Sequence, residues 1–180
     1  MIGHRNVIEL PQKMFNRLKK HLLPPRCRVE EAAFLFAEVS ETPTILVFSF
    51  RDWYALTPKD FLVQTSYHIE LVEDMRPRMI KAAHDSQCAL IEVHSHLSDP
   101  ARFSSSDIAG FREVVPHVRW RLGNRPYAAI VLTRGGFDAL VWREQSANPE
   151  RLTDLTIRGS LFNRHILPSC LTPIERKFII

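Results

Sequence analysis

The chain reads as apolar runs of strand length interrupted by stretches of helical periodicity. Met14, Phe15, Leu18 and Leu22 fall on one helical stripe, with Lys13, Arg17, Lys19 and Lys20 off it. Pro11 suits the first turn of that helix, and Pro24-Pro25 stops it. Ahead of it, Val7 to Leu10 predicts a short edge strand. Ala32 to Ala37 predicts a buried strand, Thr42-Pro43 a turn and Ile45 to Phe50 the next strand, followed by a loop around Trp53 to Lys59. Phe61 to His68 predicts a third strand, and Ile69 to Asp85 a helix that Pro77 kinks or splits.

Ala89 to His96 predicts a strand, and Ser104-Ser105-Ser106-Asp107 a helix start, because serine caps free amides and aspartate suits the first turn. That helix runs from about Ser105 to Val115, or on towards Trp120 where Pro116 is absorbed. Tyr127 to Thr133 and Phe137 to Arg143 form a hairpin through Arg134-Gly135-Gly136. Beyond Glu144 the pattern weakens: Leu152 to Ile157 predicts a short helix or strand, and the apolar end Phe178-Ile179-Ile180 a contact within or between chains. Strands and helices alternate without a parallel rhythm. The expected class is α/β of the α+β type, a mixed sheet with helices.

Composition narrows this picture little. At 180 residues the chain suits one domain with room for a short appendage. The formal charge of +4 comes from scattered Lys and Arg, which reads as a solvated surface and not as a nucleic-acid patch. Cys27, Cys88 and Cys170 are widely spaced, with no CxxC pair, which suits a reducing cytoplasm. With no signal-like apolar segment and no run of membrane-spanning length, the expectation is a soluble, cytoplasmic protein without a membrane partner.

The chemistry gathers at the end of one strand. His94 and His96 stand two apart, so in a strand they point to the same face and can grip one ion. Asp107 completes a two-histidine, one-carboxylate set that leaves a coordination position open for water, as catalytic zinc requires. Such a site also needs a carboxylate outside the ligand set to take a proton, and a donor for an oxyanion, for which the Ser104 hydroxyl would serve. By the period-two rule Glu92 shares the histidine face and is the nearest candidate for the base. Asp99, directly after the strand and beside Pro100, is a rival to Asp107. The other six histidines, His68 among them, have no ligand-like partner at near spacing and read as ordinary polar residues.

In residue type and spacing, His94-Ser95-His96, Ser104 and Asp107 resemble the signature of the JAMM (JAB/MPN-type) zinc metalloproteases. The resemblance implies one zinc per chain, held by the two histidines, the aspartate and a water. It implies a curved mixed sheet flanked by helices, a cytidine-deaminase-like sandwich, over residues 1–143. Residues 144–180 are then an extension packed on that domain or used for partner contact. It also implies a catalytic glutamate upstream, for which Glu31 ahead of Ala32-Ala33-Phe34 stands in the family's place; Glu92 then orients a histidine. Glu30, one residue earlier, is a weaker rival for the base, because slipping one residue turns its side chain to the other strand face. The chain departs from the family at Leu97, where proline is usual, and at Ala33-Phe34, where a glycine is usual.

The activity implied is hydrolysis of the bond after the C-terminal glycine of a ubiquitin-like protein, in deconjugation or precursor processing. The compact chain resembles stand-alone bacterial members that act beside E1- and E2-like conjugation enzymes, including those of phage-defence operons. The alternatives are a non-catalytic scaffold or a nucleic-acid-associated protein that retains the metal site.

Overall fold

The computed structural model describes residues 4–143 and 148–169. Cys170 and the apolar end Phe178-Ile179-Ile180 lie outside the described residues. The strands are β1 (Arg5–Pro11), β2 (Ala32–Glu41), β3 (Ile45–Ala55), β4 (Phe61–Gln64), β5 (Ile69–Leu71), β6 (Ala89–Ser95), β7 (Tyr127–Leu132), β8 (Phe137–Trp142), β9 (Glu150–Arg151), β10 (Asp154–Arg158) and β11 (Asn163–Ile166). The helices are α1 (Gln12–Leu22), α2 (Met75–Asp85) and α3 (Ser105–Arg121). Nine strands form one mixed sheet in the order β11-β10-β1-β3-β2-β6-β7-β8-β9, and β4 and β5 pair apart from it. The fold is mixed α/β, with helices on both faces of the sheet.

Alternation along the strands decides what each face carries. Ala33, Leu35 and Ala37 of β2, with Ile91 and Val93 of β6, pack under α1 through Met14, Phe15, Leu18 and Leu22. Leu18 and Leu22 are 1% and 0% exposed, so each contributes about 1.5–3 kcal/mol of apolar burial. The cations in the last turn of α1, Lys19 and Lys20, supply only about 0.3–1 kcal/mol each through the helix dipole. Burial therefore docks the helix. Ala32, Phe34 and Phe36 of β2, and Leu90 of β6, face the other way, against Met75 and Met79 of α2 and Phe111 and Val115 of α3. Glu92 and His94 have the parity of Leu90 and stand on this second face.

Four elements differ from the sequence expectation. Strand β1 is not at the edge: it runs parallel to β3 on one side and to β10 on the other. The loop expected around Trp53 is still β3, because Trp53 and Ala55 pair with Leu35 and Ala33. The strand expected over Phe61 to His68 turns at Thr65, whose N–H and hydroxyl both donate to the His68 carbonyl, at 2.9 and 3.0 Å. The chain returns as β5 against β4, so α2 starts only at Met75. Pro77 is then the third helical residue, where the missing N–H has no intrahelical partner to lose.

Helix α3 absorbs Pro116 and runs to Arg121. Residues 150–166 add β9, β10 and β11 to the same sheet. No helix among the described residues is long and apolar enough to cross a membrane.

Candidate metal centre

Strand β6 ends at Ser95, yet the chain stays in sheet register for one more residue: the His96 N–H donates to the Leu132 carbonyl at 2.9 Å. His94 and His96 therefore project from the second face as neighbours, with Nε2 atoms 3.2 Å apart. Asp107 arrives from the start of α3. Ser104 is the N-cap, and its hydroxyl accepts the Asp107 N–H at 3.1 Å. In return Asp107 Oδ2 accepts the Ser104 N–H and hydroxyl, both at 2.7 Å. This reciprocal cap aims the carboxylate at the histidines, with Oδ1 3.7 Å from His94 Nε2 and Oδ2 3.4 Å from His96 Nε2.

These separations fit an ion. Ligand bonds of about 2.0–2.1 Å at tetrahedral angles require ligand-to-ligand edges of about 3.3–3.4 Å, close to the 3.2 Å between the two Nε2 atoms and the 3.4 Å from His96 Nε2 to Asp107 Oδ2. Among the described residues, His94, His96 and Asp107 are the group whose ligand atoms converge closely enough to hold a metal ion. The group also fits chemically, with two imidazoles and one carboxylate. The Asp107 hydrogen bond raises the proton affinity of His96, more than burial lowers it, with Glu30 and the Arg102 backbone helping. Burial pushes the Asp107 carboxyl up, but hydrogen bonds from both histidines outweigh it and hold the group well below the usual carboxylate range. Asp107 is thus an ionised ligand candidate at any ordinary pH.

Beside this group lies Glu30, not Glu31. Ala32 pairs with His94 across β2 and β6, so a side chain two residues before Ala32 shares the histidine face and one a single residue before it does not. The Glu30 carboxylate is buried, 5% exposed, with Oε1 3.9 Å from His96 Nε2. Burial raises its pKa, against the lowering pull of His96 and His94. Glu31 has other partners: burial raises it too, while His21 and a hydrogen bond from Gln64 lower it. The dipeptide is bolted in place at several points. The buried Ser95 hydroxyl accepts the Glu31 N–H at 2.9 Å. The Glu30 N–H donates to the Thr65 carbonyl at 2.7 Å, and Gln64 Nε2 donates to the Glu30 carbonyl at 3.0 Å.

No family model matches this chain, and no curated protein matches it.

A cleft of about 300 Å³ opens from the histidines, walled by the β4–β5 hairpin on one side and α3 on the other, with Glu30, His94 and Asp107 among its lining residues. Glu92 lies in its floor as well, but is engaged elsewhere. Arg76 donates to it from Nη2 and Nε at 2.9 and 3.3 Å, and the Tyr127 hydroxyl donates at 2.9 Å. Burial would raise the Glu92 carboxyl, but Arg76 and Tyr127 prevail and lower it. Ser104 has likewise committed its hydroxyl hydrogen, the one expected at an oxyanion, to Asp107. Asp99 accepts the Gly135 N–H at 3.1 Å, and so serves the β7–β8 turn and not the metal group.

His68, expected to be an ordinary polar residue, reaches the cleft on the hairpin tip, and Arg76 lines it from the first turn of α2. Outside the lining, Tyr127 of β7 closes on Glu92. None stands at a telling spacing from the histidines. Only the habit of buried carboxylates to find a cation could have sent a search from Glu92 to an arginine.

Proposed function

We propose that this chain is a zinc-dependent metallohydrolase of the JAMM type, an isopeptidase or peptidase acting after the C-terminal glycine of a ubiquitin-like protein, with Glu30 as its base. The observation that carries this reading is the buried Glu30 carboxylate standing 3.9 Å from a ring of the convergent His94, His96 and Asp107 group. A structural ion would be closed in by its ligands, whereas here a second carboxylate and an open cleft adjoin the group. Residue type and spacing in His94-Ser95-His96, Ser104 and Asp107 resemble the signature of that family and support the reading.

His94 Nε2, His96 Nε2 and one Asp107 oxygen would hold the metal. Zinc there supplies a Lewis acid for the scissile carbonyl and acidifies water at neutral pH. Glu30 takes a proton from the attacking water on a carboxylate oxygen; its burial-raised pKa makes it the better base. The water oxygen bonds to the carbonyl carbon, the carbon–nitrogen bond breaks, and Glu30 returns the proton to the departing amine. Ser104 keeps Asp107 oriented through the helix cap, in place of an oxyanion contact.

The test is cleavage of a ubiquitin-like protein fused through its C-terminal glycine to a reporter, with and without a zinc chelator. The reading predicts chelator-sensitive cleavage that disappears in Glu30→Gln while zinc stays bound. Cleavage untouched by chelator, or no cleavage of any such fusion by zinc-loaded protein, contradicts it.

A further inference from the structure

Three carboxylates, Glu30, Glu92 and Asp107, line the cleft with His94, but only Asp107 belongs to the convergent group. Glu92 is the harder case, since it precedes His94 by two residues on the same strand face and is only 6% exposed. A carboxylate so placed is an ordinary zinc donor. Joined to the ion, it would complete four protein ligands and give the closed set of a structural site.

What holds Glu92 apart is a cluster assembled from three elements. Arg76, from the first turn of α2, grips both carboxylate oxygens, with Nη2 to Oε1 at 2.9 Å and Nε to Oε2 at 3.3 Å. Tyr127, fully buried in β7, adds its hydroxyl to Oε2 at 2.9 Å. Three charge-assisted bonds thus occupy the carboxylate, and the two-pronged grip of Arg76 fixes its plane.

We infer that Arg76 and Tyr127 keep one coordination position of the metal centre open by restraining Glu92. This rests on the reading of His94, His96 and Asp107 as a metal centre, but not on any substrate. Arg76 and Tyr127 are positioning residues: they act through Glu92 and need touch neither ion nor substrate.

Cobalt(II) reports coordination number in its visible absorption without any turnover, so the purified metal-free protein is titrated with cobalt alone. Wild type is expected to show the intense band of a four-coordinate ion that includes water. In Arg76→Met, Glu92 is released to the ion, and the band is expected to shift. In Arg76→Met with Glu92→Gln, which cannot supply a carboxylate, the wild-type spectrum is expected to return.

An Arg76→Met spectrum identical to wild type in folded protein overturns the inference, as does a double variant that keeps the altered band. Where Arg76→Met alone fails to fold around its unpaired carboxylate, Tyr127→Phe takes its place. That variant removes one of the three bonds, and an unchanged spectrum in it is equally damaging. Wild-type protein that takes up no cobalt overturns the metal centre itself, a failure distinct from cobalt uptake that ignores Arg76.

Discussion

Glu30, just ahead of β2, and His96, just past the end of the paired strand β6, lie side by side, with Glu30 Oε1 3.9 Å from His96 Nε2, while the groups that lower the adjacent Glu31 carboxyl are His21 and Gln64. One residue of register separates a carboxylate beside the candidate metal group, the proposed base, from a side chain of the other parity. Replacing Glu30 by Gln is therefore expected to lower hydrolysis by about 10²–10⁴-fold with zinc content unchanged. Glu31→Gln is expected to stay within a few-fold of wild type, read as kcat on the same fusion substrate. Equal losses in the two variants would remove the distinction drawn from strand parity.

Ser95 is fully buried between His94 and His96, and its hydroxyl accepts the Glu31 N–H. Ser95→Ala leaves that amide without its side-chain partner and is expected to cost about 1–3 kcal/mol in chemical denaturation. Faster hydrogen exchange at the Glu31 amide is expected alongside. Ser95→Thr, which restores a hydroxyl, is expected to recover the amide protection where the extra methyl is accommodated.

A Cβ on Gly135 would lie 2.8 Å from Asp99 Oδ1, the atom that accepts the Gly135 N–H. Gly135→Ala must turn the exposed Asp99 carboxylate aside and off the Gly135 N–H. The expected cost is that of the lost hydrogen bond, about 0.5–1.5 kcal/mol, seen as a lower Tm. Asp99→Asn is expected to retain full zinc content and Asp107→Asn to lose most of it, measured on the same preparations. The reverse pattern would make Asp99 the ligand.

At His96 protons would compete with a bound metal. Its hydrogen bond to Asp107, aided by Glu30, raises its pKa above the ordinary 6.5. In the metal-free protein this pairing contributes stability that is complete below the unfolded pKa and is lost as pH rises through the folded one. Metal needs the neutral ring. The rise in Tm on adding zinc is therefore expected to grow between about pH 6 and about pH 8. A zinc-induced shift that shrinks over that interval would contradict the assignment of His96 as a ligand.

Much of the centre was legible in the sequence because its signals are local. Two histidines two apart declare a common face in any strand, and Ser104 with Asp107 declares a helix cap whichever core the helix packs on. The choice between Glu30 and Glu31 was not local. It depends on Ala32 pairing with His94, a register between residues 62 positions apart that neither segment encodes alone. The Arg76 and Tyr127 grip on Glu92 lies beyond sequence for the same reason, since three elements must meet before it exists. In the fold, strands with strong apolar runs were readable. The hairpin β4–β5 was not, because Thr65 to His68 makes its turn with side-chain hydrogen bonds and no Gly or Pro marks it.

Metal content tests the centre of this account most directly. Zinc per chain, measured by elemental analysis after metal-replete expression and removal of loosely bound ions, is expected to be close to one in wild type and near zero in His94→Ala and Asp107→Ala. Wild-type protein that is folded and carries no zinc, or variants that carry as much as wild type, would contradict it.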